Sequence, residues 1–447
     1  MVRRSKAFKR LLALSLALAA VFSLAGSAFA LNAGYKDVPA DAWYASNLSD
    51  LSAAGVVSGY PDGTYRPGGS VTVAEAVKLL VLAAGYSEQT DPAKDWKTPY
   101  LDFALKRGFI DQNEYNAADR AATRLQVAHI AAKCAGLQKA RHMENPFADT
   151  QDGYVLELYK VGVLTGSVEG DKRVFKPDTS ISRAEMCAIV WRVRNGDIHK
   201  DQIRVDWYWA DVLPDMPLNP YAAECFGTTG DRASYTAAGA QTITGVDVSY
   251  WQGDVDWAAV KADGIGFAML RLGYRGYGQA GNLMLDEKFQ QNAKNAVAAG
   301  LPVGVYFYSQ ATTVAEAKEE AAFVLKALSG AKITWPVVFD WEIPNDTART
   351  VNVDVDTLTA CADAFCKDIA AAGYKPMIYF GDAVGYLHYD LSLLKQYDFW
   401  YAGFRDSVPA FRYDFKMWQY TEKGKVKGIS GDADLNLSFV DYGKASA

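Results

Sequence analysis

The chain has 447 residues, 50% apolar and 22% charged, a globular composition with room for about three domains. Its formal charge of −6 includes five basic residues and no acid within the first 30 positions. The remainder carries 41 basic and 52 acidic residues, a balance of −11, which argues against a nucleic-acid partner gripped through phosphates.

The N-terminus reads MVRRSKAFKR, then the apolar run LLALSLALAAVFSLAG, then Ala28-Phe29-Ala30. Small residues at 28 and 30 fit a signal-peptidase site, so residues 1–30 are predicted to be a signal peptide cut after Ala30. The competing reading is a membrane anchor, for which the run is short. No later segment reaches spanning length, so the mature chain is expected to be secreted, with no membrane span after cleavage. The five cysteines, Cys134, Cys187, Cys225, Cys361 and Cys366, contain no CxxC pair. That pattern indicates no zinc site, and the bland reading is mostly buried thiols. No metal or cofactor is expected.

A degenerate repeat follows, with copies at 31–90, 91–140 and 141–198. The plan is a helix, a glycine, a short apolar segment, a turn and a second helix. Trp43 precedes Gly55 as Trp96 precedes Gly108, by 12 residues. Gly162-Val163-Leu164-Thr165-Gly166 matches Gly55-Val56-Val57-Ser58-Gly59. The second helices start at Thr72, Thr123 and Ser182, and Thr72 with Glu75 forms a capping box. Three copies at a period of 50–60 residues predict stacked units, each too small to bury its own apolar face.

GYPDGTYRP at 59–67 and SRAE at 182–185 make this region, about 35–198, resemble the S-layer homology domain. The resemblance implies an all-α module of three repeats whose grooves bind a pyruvylated secondary cell-wall polymer. Carried over by motif, the polymer-binding candidates are Trp43, Asp62, Gly63, Trp96, Arg124 and Arg183. An arginine at a helix start can grip a carboxylate and a tryptophan can pack on a sugar face; core packing and ordinary surface arginines are the competing reading. Copy 1 has Val73 in place of the motif arginine, copy 2 lacks the PDGT turn, and copy 3 has Tyr154 near the expected tryptophan. Residues 199–242 are expected to be a linker, flexible over the Gly/Ala/Ser/Thr-rich stretch 226–242.

From 243 to 447 strands and helices alternate. Strands are predicted at 243–249, 267–273, 302–309, 335–342, 376–381, 399–404, 416–421 and 433–437. Helices are predicted near 256–263, 286–299, 313–328 and 356–372. Eight strands with βα alternation predict an α/β fold, a modified TIM-like (β/α) barrel that loses its helices late. Chemistry in such barrels sits at the C-terminal strand ends, and acids cluster there: Asp247, the Asp340/Glu342 pair and Asp434. Two-residue spacing puts Asp340 and Glu342 on one face. Repulsion and desolvation then raise one of the two, as a general acid requires, and two carboxyls with different affinities for a proton suit glycoside hydrolysis. Tyr306, Tyr308, Tyr379, Trp400, Trp418 and Tyr420 lie on these strands, as core or as walls for sugar rings.

GVDVSYWQGDVDW, VVFDWE, MWQYT and GDADLN make this half resemble glycoside hydrolase family 25, the N,O-diacetylmuramidases or Chalaropsis-type lysozymes. The resemblance implies that Glu342 is the proton donor and Asp340 its partner, which orients the substrate N-acetyl group or a water. It implies that Asp247 and Asp434 are further pocket acids, with Tyr306, Tyr379, Trp418 and Tyr420 as substrate-binding aromatics. Phe307-Tyr308 departs from the family's usual His-Phe. The expected protein is a lysozyme, an N-acetylmuramidase held on the cell wall, with peptidoglycan as substrate. The alternative is a non-catalytic glycan-binding or surface-layer protein.

Overall fold

The computed structural model describes residues 34–141, 143–404 and 407–445; the expected signal peptide lies outside them. The chain divides between Asp211 and Val212 into two units.

The first unit is mainly helical. Copy 1 supplies α1 (Ala45–Ala53) and α2 (Val73–Ala83); copy 2 supplies α3 (Thr98–Lys106), α4 (Gln112–Asn116) and α5 (Arg124–Cys134). Copy 3 supplies α6 (Gly153–Lys160), the hairpin β1 (Ser167–Glu169) and β2 (Lys172–Val174), and α7 (Arg183–Asn195). Gly55, Gly108 and Gly162 each follow a first helix with φ of +70°, +70° and +79°, the left-handed turn that ends a helix and that glycine adopts without strain. The helices α2, α5 and α7 each start at a capping box: Thr72 with Glu75, Thr123 with Gln126, Ser182 with Glu185.

These three helix starts are also tied in a ring. The first amide of each donates to a carbonyl of the next copy: Val73 N–H to Arg120 O at 3.0 Å, Arg124 N–H to Thr179 O at 2.9 Å, and Arg183 N–H to Gly69 O at 2.8 Å. Amides that a helix leaves unpaired are thus satisfied between copies. One apolar core, including Leu48, Leu80, Ile130, Leu158 and Val190, runs through all three copies. No single copy could enclose that core, as the repeat period predicts.

The stretch expected to be a flexible linker is folded. The hairpin β3 (Gln202–Val205) and β4 (Tyr208–Asp211) belongs to the first unit, where Trp209 stacks on His199 at 3.9 Å. Residues 212–242 strap the second unit. Leu213 N–H donates to the Tyr413 hydroxyl at 2.8 Å, Asn219 N–H to Arg412 O at 2.9 Å, and Tyr221 stacks on Phe439 at 3.8 Å. A second hairpin, β5 (Phe226–Thr229) and β6 (Arg232–Tyr235), lies in the same strap. Its aromatic residues, Phe226 and Tyr235, find ring partners on the barrel and override the small-residue composition around them.

The second unit is a closed barrel. Its strands are β7 (Ile243–Val248), β8 (Phe267–Arg275), β10 (Val303–Ser309), β11 (Val337–Trp341), β12 (Pro376–Gly381), β13 (Asp398–Ala402), β14 (Met417–Gly424) and β15 (Ala433–Ser438). A short β9 (Leu283–Leu285) pairs antiparallel beside β8. Pairing of β10 with β8 closes the ring. The helices α8 (Trp257–Ala262), α9 (Phe289–Ala298), α10 (Val314–Ala327) and α11 (Val355–Ala371) belong to the first half of the barrel; α12 (Tyr442–Ala445) ends the described chain. All eight strands fall where the apolar runs place them. All neighbours are parallel except that β15 runs antiparallel to both β14 and β7. Asp434 therefore sits at the start of its strand, not the end, and still reaches the same rim as the C-terminal ends of the other strands.

Among the described residues no helix is long and apolar enough to cross a membrane. All five cysteines are free; Cys134, Cys187, Cys361 and Cys366 are buried and Cys225 is half-buried.

Candidate functional site

At the rim of the barrel a pocket of about 300 Å³ brings together Asp247, Asp340, Glu342, Asp434, Tyr306 and Tyr379. Strand parity builds it. On β11 and just past its end, Asp340 and Glu342 face in while Trp341 between them is buried on the far side, its indole N–H donating to Ala311 O at 2.9 Å. On β10, Tyr306 and Tyr308 face in and Phe307 packs outward against Phe323.

Asp247 and Asp434 are register partners across β7 and β15 and share a hydrogen bond. Asp247 Oδ2 also accepts the Gln419 amide at 2.9 Å and the Asn436 amide at 2.7 Å. Those amides are oriented in turn, because the Tyr379 hydroxyl donates to Gln419 Oε1 at 2.7 Å and the Trp400 indole to Asn436 Oδ1 at 2.8 Å. Each carboxyl is displaced upward. Burial, then the Asp434 charge, pushes Asp247 well above the usual range; burial, then the Glu422 charge, lifts Asp434 to about 6 despite the Asp247 hydrogen bond. Burial, then the Glu342 and Asp247 charges, raises Asp340, which Arg271 partly opposes. Burial raises Glu342, against a hydrogen bond from the Tyr308 hydroxyl. Crowded, desolvated carboxyls hold protons near neutrality. The Oδ1 atom of Asp340 is buried with no hydrogen-bond partner.

Two expected wall residues are elsewhere. Trp418 and Tyr420 do share a face of β14, but Gln419 and Glu422 are the residues that line the pocket. Trp418 is buried against Phe226, with its indole N–H on Gly403 O at 3.0 Å, and Tyr420 lies beside it at 5.4 Å. A barrel strand is covered on both faces, so aromatic alternation does not say which face is the inside. The lone amide in MWQYT was the signal. Arg271, a single charge in the apolar run FAMLRLG, was another, as was Asn436 in GDADLN. Sequence reasoning also passed over Trp251, a 73% exposed ring at the pocket edge.

The first unit carries a second pocket, of about 340 Å³, built from three copies at once. Copy 1 provides Ser58, Tyr60 and Lys78, copy 2 provides Trp96, and copy 3 provides Arg183. Arg183 Nε donates to Tyr65 O at 2.8 Å and Nη2 to Ser58 O at 3.2 Å, with Tyr65 and Tyr60 under its guanidinium. Lys78 lies 5.5 Å from the Trp96 ring centre. Of the other candidates, Asp62 and Gly63 shape the turn and do not line the pocket: Asp62 accepts Thr64 N–H at 3.0 Å and pairs with Arg66 at 2.9 Å, and Gly63 has φ of +80°. Trp43, 64% exposed, and Arg124 are not in this pocket either. Arg124 donates to Phe175 O at 2.7 Å and to Glu185 at 2.7 Å.

The copies follow one rule. The capping glutamate of one copy faces the arginine of the copy before it: Glu75 faces Arg183 at 3.7 Å and Glu185 faces Arg124 at 2.7 Å. Where that arginine is Val73, the capping residue of the next copy is Gln126, which carries no charge.

A barrel with paired, desolvated carboxyls at its C-terminal rim defines a glycoside hydrolase, here joined to a repeat module of the cell-surface type. Residues 246–429 match the model of glycosyl hydrolases family 25, and residues 34–77 match the S-layer homology domain. The chain thus carries a stretch that matches the family 25 model, preceded by one, within the first repeat copy, that matches the S-layer homology model. It is similar to Lysozyme M1 of Streptomyces globisporus, 25% identical over 47% of this chain and 72% of that one. It is similar to S-layer protein EA1 of Bacillus anthracis, 25% identical over 52% of this chain and 29% of that one. A solved family 25 glycosyl hydrolase from Bacillus anthracis aligns at 21% identity over 49% of this chain and 98% of that one, with a TM-score of 0.40.

Proposed function

We propose that this protein is a cell-wall-anchored N-acetylmuramidase, a lysozyme that hydrolyses the β-1,4 bond between N-acetylmuramic acid and N-acetylglucosamine in peptidoglycan. Its first 30 residues direct export. Glu342 protonates the glycosidic oxygen, since burial favours its protonated form. Asp340 acts beside it, its unpartnered Oδ1 accepting the substrate acetamido N–H or a water. The Asp247–Asp434 pair, fixed by Gln419 and Asn436, binds sugar hydroxyls, with Tyr306 and Tyr379 as walls. The observation that carries the reading is the convergence of these four carboxyls on one pocket. Native protein should clear purified walls and release N-acetylmuramic acid reducing ends, while E342Q should lose about 10²–10⁴-fold of that rate. Clearing by both proteins defeats the reading; clearing by neither leaves a glycan-binding barrel.

The repeat module anchors the enzyme on the wall. Arg183 and Lys78 supply the positive charge and Trp96 the ring for an acidic sugar of a pyruvylated secondary polymer. Full-length E342Q should sediment with walls and be released when that polymer is extracted. Retention after extraction would defeat the assignment of the ligand.

A further inference from the structure

The candidate acid lies just outside the sheet that supports it. β10 and β11 are in register from Val305 opposite Val337 to Ser309 opposite Trp341, and Glu342 is the next residue. The ladder fixes Asp340 and stops short of Glu342. Side chains take over at that point. The wholly buried Gln310 donates through Nε2 to the Glu342 carbonyl at 2.7 Å, and the Thr350 hydroxyl donates to the same oxygen at 3.1 Å. Gln310 is itself fixed, with Nε2 also donating to Ser309 O at 3.0 Å. Behind it the Ser309 hydroxyl donates to the buried Glu320 at 2.6 Å, and Arg275 Nε holds that carboxylate at 2.7 Å.

We propose that Gln310 and Thr350 are positioning residues for Glu342, a two-donor clamp on its carbonyl that replaces the missing ladder and aims its carboxyl into the pocket. The proposal rests on the reading of Glu342 as proton donor. Neither residue faces the pocket, so neither acts on substrate. Their leverage is geometric: a proton donor must stand within hydrogen-bond reach of the glycosidic oxygen, and a displacement of about 1 Å can cost on the order of 10²-fold in rate.

The test uses the full chain and a soluble peptidoglycan oligosaccharide, with kcat, KM and the pH–rate profile measured for Q310M, T350V, T350S and E342Q, and a melting temperature for each. Q310M keeps the shape of the side chain without its donor. Q310M and T350V should lower kcat by about 10- to 100-fold while KM stays within about twofold. The alkaline limb of their profiles should move to lower pH, because a loosened Glu342 is better hydrated and gives up its proton more readily. T350S keeps the hydroxyl and should restore both kcat and the limb. A merely structural role would lower activity in proportion to the folded fraction and leave the limb in place, and that result overturns the proposal. Should Q310M fail to fold, the T350V and T350S pair decides alone. An active E342Q removes the reading of Glu342 and this inference together. An inactive E342Q beside native-like Q310M and T350V removes the inference only.

Discussion

The barrel and the repeat module both gather distant residues into one pocket, and they differ in what holds those residues there. In the barrel Asp247, Asp340 and Asp434 are placed by strand parity and register, Glu342 follows one residue past the end of β11, and burial leaves all four desolvated. In the module Arg183 arrives from copy 3, Lys78 from copy 1 and Trp96 from copy 2, and the arginine is satisfied by carbonyls before any ligand comes. The consequence concerns what counts as complete. Judged copy by copy, every repeat is defective. Judged by its pocket, the module is furnished with arginine, lysine and tryptophan, because that pocket draws on all three copies.

The largest effect expected from breaking this contrast is on Trp418. If it is core and not wall, W418A should cost about 3–5 kcal/mol of barrel stability and leave KM for peptidoglycan fragments unchanged, measured by thermal unfolding and by kinetics at a temperature where the variant is folded. A raised KM with intact stability would return Trp418 to the pocket.

The acids should make the barrel sensitive to pH in a direction the module does not share. Asp434 is held up to about 6, above the ordinary range near 4. A carboxyl raised on folding stabilises the fold at low pH, and that contribution is lost as pH climbs from about 4 through about 6. D434N removes the charge that burial opposes. Its melting temperature should exceed that of the native barrel at about pH 7 and approach it near pH 4. A variant less stable at both would mean that the shared hydrogen bond with Asp247 outweighs the charge.

Much of this was legible in the sequence, and each miss has its own physical origin. The runs around ITGVDVS, VGVYFYS and VVFDWE gave the strands, and the spacing of Asp340 and Glu342 gave their common face. Alternation reports which residues share a face; it is silent on which face is inside when both are buried, hence Trp418 and Tyr420. It is silent on strand direction, hence the reversed β15 that still delivers Asp434 to the correct rim. Local motif matching likewise assigns each arginine to its own repeat, whereas the ring of helix-start hydrogen bonds sends it to the next. Residues 226–242 read as a joint because their small side chains dominate the count, although Phe226 and Tyr235 decide the fold.

Within the module the contrast can be sharpened by comparing its two arginines. Arg183 has backbone carbonyl partners and a more distant glutamate, so its charge remains available to an anion, whereas Arg124 is closed on Glu185. A charge-assisted hydrogen bond is worth about 1.5–3 kcal/mol. R183A in the E342Q background should therefore weaken wall sedimentation by roughly tenfold or more, and R124A by clearly less. Equal losses would show two working pockets.

The smallest effect tests the rule that links the copies. Glu185 does two tasks with two oxygens: Oε2 accepts Ser182 N–H at 3.0 Å to complete the helix cap, and Oε1 holds Arg124. Gln126 performs the first task alone, its Oε1 accepting Thr123 N–H at 3.0 Å, where no arginine needs an anion. E185Q should thus preserve the cap and lose only a half-exposed ion pair, a cost below about 1 kcal/mol read as a small drop in melting temperature. S182A, which removes the capping hydroxyl itself, should cost about 1 kcal/mol. If E185Q proved the more damaging of the two, the ion pair rather than the cap would be what closes copy 3 onto copy 2.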